Sequence, residues 1–96
     1  MSEITNNIQR LQSVAAGAKR ELKTLDIKGR NSINLIRSKL DLLNLDDGED
    51  LTNLDLDSVE VEFNELKETV GKMFALNEKI RIAEKEIKSI KKQLES

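Results

Sequence analysis

Residues 4–25 read ITNNIQRLQSVAAGAKRELKTL, and their spacing of apolar residues indicates the architecture of the chain. Its apolar residues recur with alternating steps of four and three: Ile4, Ile8, Leu11, Ala15, Ala18, Leu22 and Leu25. That spacing gives a single apolar stripe along a helix, of the kind that supercoils against another helix. The first helix is therefore predicted to be long and to pack along its length.

The composition of the 96-residue chain supports the same interpretation. Hydrophobic residues make up 38% of the chain and charged residues 35%, and the only aromatic residues are two phenylalanines. High charge with few aromatic residues is typical of long helices and coiled coils. The length indicates one domain, and a hairpin of two helices buries little of its own surface. We therefore expect a homo-oligomer.

The second half of the chain repeats the pattern of the first. Its later stripe steps by four and three through Leu76, Ile80, Ala83, Ile87, Ile90 and Leu94. An acidic turn around a glycine, residues 46–50, separates the two helical regions. The sequence predicts one all-α domain over residues 1–96, an antiparallel helical hairpin or coiled coil that associates into a helical-bundle oligomer. Its expected parts are a helix at about 3–44, an acidic loop at about 45–57 and a helix at about 58–94.

The apolar stripe changes phase after Leu25. The next apolar residues with the same steps are Ile33, Ile36, Leu40 and Leu43. Joining the two runs requires Gly29 on the stripe and an extra step of four, which is a stutter in the supercoil. The alternative is a break, with Gly29 ending one helix and Asn31 or Ser32 starting another. Both alternatives stay open.

The second helix also changes phase, between Met73 and Leu76. If the chain folds back at the acidic turn, Gly29 comes level with Met73 and Phe74. We interpret this as a bulky pair on one helix set against a glycine on the other.

Residues 51–63 allow two interpretations. Alternating apolar residues suggest a strand, but this chain offers no partner strand. We predict a helix from about Ser58, with Asp57 and Glu60 as a capping box. Leu51, Leu54 and Leu56 are expected to hold the loop on the end of the bundle. The acidic turn does not match a calcium-loop template, because leucines fall where ligating carboxylates belong.

The residue types that are missing exclude most catalytic chemistry. The chain has no His and no Cys, so it lacks the ligands of the usual zinc sites, a thiol nucleophile and an imidazole base. We expect no enzyme and no cofactor. The sequence shows neither a signal peptide nor a membrane-spanning run. We expect a cytoplasmic protein, although secretion without a cleavable signal stays open.

Charge is distributed unevenly along the chain. Residues 1–45 carry a net charge of +4, residues 46–70 of −9 and residues 71–96 of +3. The hairpin brings bases of both helices together at the end away from the turn, and these form a candidate site for a phosphorylated or nucleotide ligand: Lys19, Arg20, Lys23, Lys79, Arg81 and Lys85. The alternative is a solvated face of mixed charge. Nucleic acid is not an expected partner, because the chain is acidic and lacks Tyr and Trp.

Several apolar residues lie off the predicted stripes. They are candidates for an oligomer or partner interface, or are simply scattered on the surface: Val14, Ile27, Leu35, Leu42 and Ile82. The leading functional hypothesis is a non-catalytic interaction protein, an adaptor or inhibitor that covers a partner's surface with a helical face. The alternative is an oligomer that binds a small anionic ligand at the clustered bases.

Overall fold

Two long helices make up almost all of the described structure. The computed structural model describes residues 2–42, 52 and 55–95. Helix α1 spans Ser2–Leu42 and helix α2 spans Leu56–Glu95. They pack side by side in opposite directions, in a rod of 74 × 17 × 16 Å. The prediction of an all-α antiparallel hairpin is confirmed.

Helix α1 is continuous through Gly29, so the alternative of a break is wrong. Glycine within a helix costs about 1 kcal/mol relative to alanine. Gly29 is buried against α2, however, and packing of an apolar face supplies most helix stability in proteins. That packing keeps the helix whole although Gly29 is a poor helix former.

Helix α2 begins at Leu56, before the predicted start at Ser58. Its N-cap is Asp55, whose Oδ1 accepts a hydrogen bond of 3.2 Å from the backbone N–H of Ser58. Asp57 lies inside the first turn rather than capping it. Leu56 is 59% exposed. The anchoring role expected for Leu51 and Leu54, and the interpretation of residues 46–50, fall outside the described residues.

The inward-facing positions keep one phase along both helices. In α1 the inward positions are Ile8, Leu11, Ala15, Ala18, Leu22, Leu25, Gly29, Ser32, Ile36 and Lys39. In α2 they are Val59, Glu62, Leu66, Thr69, Met73, Leu76, Ile80, Ala83, Ile87 and Ile90. Both sets alternate steps of three and four without interruption, as a regular heptad repeat does. The expected stutter is therefore absent, and we call these two sets the seam.

The register of the two helices differs from the prediction by about one turn. A Cβ built on Gly29 would lie 3.7 Å from Leu66 Cδ1 and 3.7 Å from Thr69 Cγ2. Phe74, which was expected beside Gly29, is 71% exposed. The prediction was wrong because it took the register from the position of the acidic turn alone, whereas the packing of the seam brings Gly29 level with Leu66 and Thr69.

Candidate interaction surfaces

The end of the hairpin away from the turn has an apolar seam. We call it the open half, residues 3–25 of α1 and 76–95 of α2. Leu11, Ala15 and Ala83 form a buried cluster, which Val14, Ile87 and Ile90 flank. Ala18 and Leu76 are buried as well. Small side chains let the two backbones come close, so this half holds the helices together.

The other end, the turn half, has a seam in which polar and apolar residues are mixed. It comprises residues 26–42 of α1 and 55–75 of α2. Ser32 and Thr69 are buried there, at 4% and 2% exposure. The Thr69 hydroxyl donates a 2.9 Å hydrogen bond to the Glu65 carbonyl. In the part of the chain that the structure describes, no buried side-chain nitrogen or oxygen lacks a partner.

A cross-helix ion pair lies within the seam of the turn half. Lys39 Nζ donates to the Ser58 carbonyl at 3.1 Å and contacts Glu62 Oε1 at 3.5 Å. The two charged side chains are 29% and 16% exposed. A pair that is this well shielded helps to fix the register of the two helices.

Five large apolar side chains of the turn half lie outside the seam, on the same side of the hairpin. Ile33 and Leu40 directly follow the seam residues of α1, and Phe63 and Val70 directly follow those of α2. In an antiparallel pair such positions share one side; Lys19 Nζ and Glu84 Oε1, which occupy equivalent positions, are 2.9 Å apart. The exposed fractions are 37% for Ile33, 50% for Leu40, 59% for Leu56, 48% for Phe63 and 39% for Val70. We call these five residues the Phe63 flank.

The Phe63 flank has little charge of its own. A cation beside it is Lys67, whose Nζ lies 5.1 Å from the centre of the Phe63 ring. A lysine over an aromatic face gives a weak cation–π attraction at an exposed site. One turn further out, the rim carries Arg30 and Arg37 on α1 and Glu60 and Lys67 on α2.

The candidate interface residues named from the sequence do not form a single surface. Leu35 and Leu42, 48% and 83% exposed, lie a heptad apart on the side opposite the Phe63 flank. Val14 shares that side but packs against the core of the open half. Ile82 lines a groove beside Val14, whereas Ile27 lines a groove with Leu22 and Met73. We call Leu35 and Leu42 the Leu35 flank.

The six candidate ligand-binding cations are also distributed around the hairpin. Lys19 pairs with Glu84 across the helices, and Arg81 pairs with Glu78 along α2. Lys23 and Lys79 line different grooves, with Met73 in one case and Val14 in the other. Arg20 and Lys85 are exposed on the outer faces of their helices. Two of the six cations are therefore paired with carboxylates. The six side chains do not lie on one face of the hairpin.

The Glu78–Arg81 pair shifts the ionisation of both groups. The hydrogen bond from Arg81 lowers the pKa of Glu78, and its attraction adds to that shift. The same contact raises the pKa of Arg81. Both side chains lie on the surface of the open half, so this pair adds local order to one helix rather than a reactive group.

Neither a metal site nor a membrane span stands out in the described parts of the chain. Residues 2–42, 52 and 55–95 contain no group of three acidic side chains placed to hold a metal ion. Neither helix contains a segment that is long and apolar enough to cross a bilayer.

Compared with known proteins, the chain matches no family model, no curated protein and no solved structure. The candidate functional surfaces are the two exposed apolar flanks, the Phe63 flank and the Leu35 flank.

Proposed function

We propose that the chain is a non-catalytic interaction protein that works as a helical oligomer. It acts as an adaptor or inhibitor by covering the surface of a protein partner with a helical face. The observation that carries the proposal is the placement of polar and apolar side chains in the turn half. There, Ser32 and Thr69 are buried while Leu40 and Phe63 are about half exposed.

Energetics favour this function for the turn half. Full burial of a leucine or phenylalanine side chain is worth about 1.5–3 kcal/mol. The five residues of the Phe63 flank are only partly buried in the hairpin, so the hairpin alone gains only part of that free energy. Contiguous apolar patches on soluble proteins commonly mark interaction sites. A second protein surface would bury what the hairpin leaves in water.

The charge pattern supports binding rather than catalysis. The described carboxylates of the seam and flanks are either on the surface or, like Glu62, paired with a cation. A general acid or base needs a group held near the working pH by burial or by a like charge. Arg81 lowers the pKa of Glu78, and the Glu78 carboxylate faces solvent. An arrangement of this kind suits recognition.

The test is the mass of the protein in solution, measured by light scattering across a range of concentrations. We expect a mass above the 10.9 kDa of one chain. Acidic substitutions on at least one flank, Leu35→Asp with Leu42→Asp or Leu40→Asp with Val70→Asp, should return the mass to that of one chain. Circular dichroism should show that helicity is retained, because all four residues lie outside the seam.

Asn34→Asp is the matched control, since it adds the same charge beside Leu35 without removing an apolar side chain. It should leave the mass unchanged. A wild-type protein that stays at 10.9 kDa at every concentration would contradict the proposed function, as would variants on both flanks with the wild-type mass.

A further inference from the structure

The Phe63 flank points to a specific partner. We propose that it binds the Phe63 flank of a second copy of this chain, so that two hairpins form a four-helix bundle. The two copies lie with their turns at the same end, and α1 of each copy packs against α2 of the other. This inference rests on the proposed function and narrows it to one surface and one partner.

The exposed area of the chain is large enough for such a dimer. The hairpin exposes 7636 Å². A compact monomer of 10.9 kDa exposes about 5,600 Å² by the usual scaling with mass, which leaves an excess of about 2,000 Å². A stable interface of standard size needs about 800 Å² from each partner. Docking one face of the rod on a second copy can supply that area.

The sequence pattern of the turn half is that of a bundle helix rather than of an isolated pair. A two-stranded coiled coil needs apolar residues only at the two seam positions of each heptad. Helices in larger bundles add a third apolar position beside the seam, which widens the apolar face. Ile33 and Leu40 hold that third position in α1, and Phe63 and Val70 hold it in α2. Both helices thus present the widened face on the same side.

Charge on the rim of the flank is compatible with this orientation but does not select it. The α1 rim carries Arg30 and Arg37, and the α2 rim carries Glu60 at the level of Arg37 and Lys67 at the level of Arg30. With turns at the same end, Arg37 of one copy faces Glu60 of the other, whereas Arg30, which pairs with Asp26 at 2.9 Å, faces Lys67. The orientation is therefore the part of the proposal that disulfide trapping decides.

A matched pair of leucines separates the two sides of the hairpin. Leu40 on the Phe63 flank and Leu35 on the opposite flank are 50% and 48% exposed, and they lie on the same helix. Leu40→Glu should raise the dissociation constant of the dimer about 100-fold or more, because each dimer contains two copies of the change. Leu35→Glu should leave the dissociation constant within about threefold of wild type. Sedimentation equilibrium measures both values.

Disulfide trapping tests the orientation. Because the chain contains no cysteine, only the introduced thiols can form a disulfide. Arg37→Cys and Glu60→Cys are made as separate proteins, mixed and oxidised. The mixture should give a covalent dimer containing one copy of each. Arg37→Cys alone should not link to itself, because the two α1 helices lie diagonally across the bundle. Self-linking of Arg37→Cys, or no link in the mixture, would overturn the proposed arrangement.

The outcomes distinguish this inference from the function on which it rests. A wild-type monomer would remove both. A dimer that Leu35→Glu dissociates and Leu40→Glu does not would overturn the inference alone. Val70→Gln provides a neutral substitution on the same flank: if Leu40→Glu loses helicity, Val70→Gln must still weaken the dimer, and an unchanged dissociation constant would count against the Phe63 flank.

Discussion

The two halves of the hairpin follow the same heptad phase but distribute apolar side chains differently. In the open half, Leu11 and Leu76 are buried and charged residues lie outside. In the turn half, Ser32 and Thr69 are buried, and large apolar residues such as Phe63 also lie beside the seam. The periodicity of the seam fixes the geometry of both halves. The residues that occupy the seam determine whether a half mainly stabilises the hairpin or also presents an apolar surface.

The largest expected effect is loss of the apolar seam in the open half. Leu11→Ala removes a side chain that is 5% exposed and should lower the free energy of unfolding by about 2–4 kcal/mol. Ile27→Ala, at a position that is 62% exposed, should cost under about 1 kcal/mol. Chemical denaturation followed by circular dichroism, at one protein concentration, measures both. Equal costs would mean that the open half is not where the stability resides.

The next effect concerns the ion pair in the seam of the turn half. Lys39→Met leaves the Glu62 carboxylate, 16% exposed, without its cation and should cost about 1–2 kcal/mol. Adding Glu62→Met should recover most of that loss, because an apolar pair needs no compensating charge. A double-mutant cycle gives the coupling. If the double variant is no more stable than Lys39→Met, the pair does not act as one unit.

A smaller effect, of opposite sign, is expected at the glycine of the seam. Gly29→Ala should raise the free energy of unfolding by about 1 kcal/mol, because alanine favours helix and its methyl group meets Leu66 and Thr69 at an ordinary 3.7 Å. Gly71→Ala is the control: nothing lies within 4 Å of the added carbon, so only the helix propensity changes. Thermal unfolding should place both variants above wild type. A destabilised Gly29→Ala would show that the helices pack more closely there.

The smallest effect is a pH dependence in the open half. Arg81 lowers the pKa of Glu78, so the pair contributes stability above the unfolded pKa of that carboxyl, and the contribution disappears as the pH falls through the folded pKa. An NMR titration should show the pKa of Glu78 rising towards its usual value in Arg81→Gln. Lys85→Gln removes the same charge two turns away and should leave the titration unchanged. An identical titration in Arg81→Gln would contradict the contact.

The open half was predicted well from the sequence because its seam is apolar. The residues from Ile8 to Leu25 that step by four and three are the ones that face α2. Hydrophobic burial dominates the free energy of packing, so an unbroken apolar stripe identifies the buried face. The hairpin and its antiparallel direction followed from that stripe and from the acidic turn.

The turn half was predicted less well because the prediction assigned only apolar residues to the seam, and the seam of this half also contains polar residues. It placed Ile33 and Leu40 inside, although they lie one position beyond Ser32 and Lys39. A continuous helix carries its phase forward, and rotating the buried face would require local unwinding of the supercoil. Extending the steps of residues 4–25 through Gly29 would have found the seam. It would also have left Ile33 and Leu40 outside the seam as part of a candidate surface.

Both helices reach one end of the rod, where α1 begins and α2 finishes. Ile33 lies some thirty residues along α1 from that end, a distance of about 45 Å at the rise of an α-helix. Any tether attached there, whether a label, a bead or a supporting surface, would leave the Phe63 flank projecting several nanometres away. Immobilisation through the start of α1 or through the end of α2 is therefore compatible with binding at the Phe63 flank. The length of the hairpin itself separates the flank from the support.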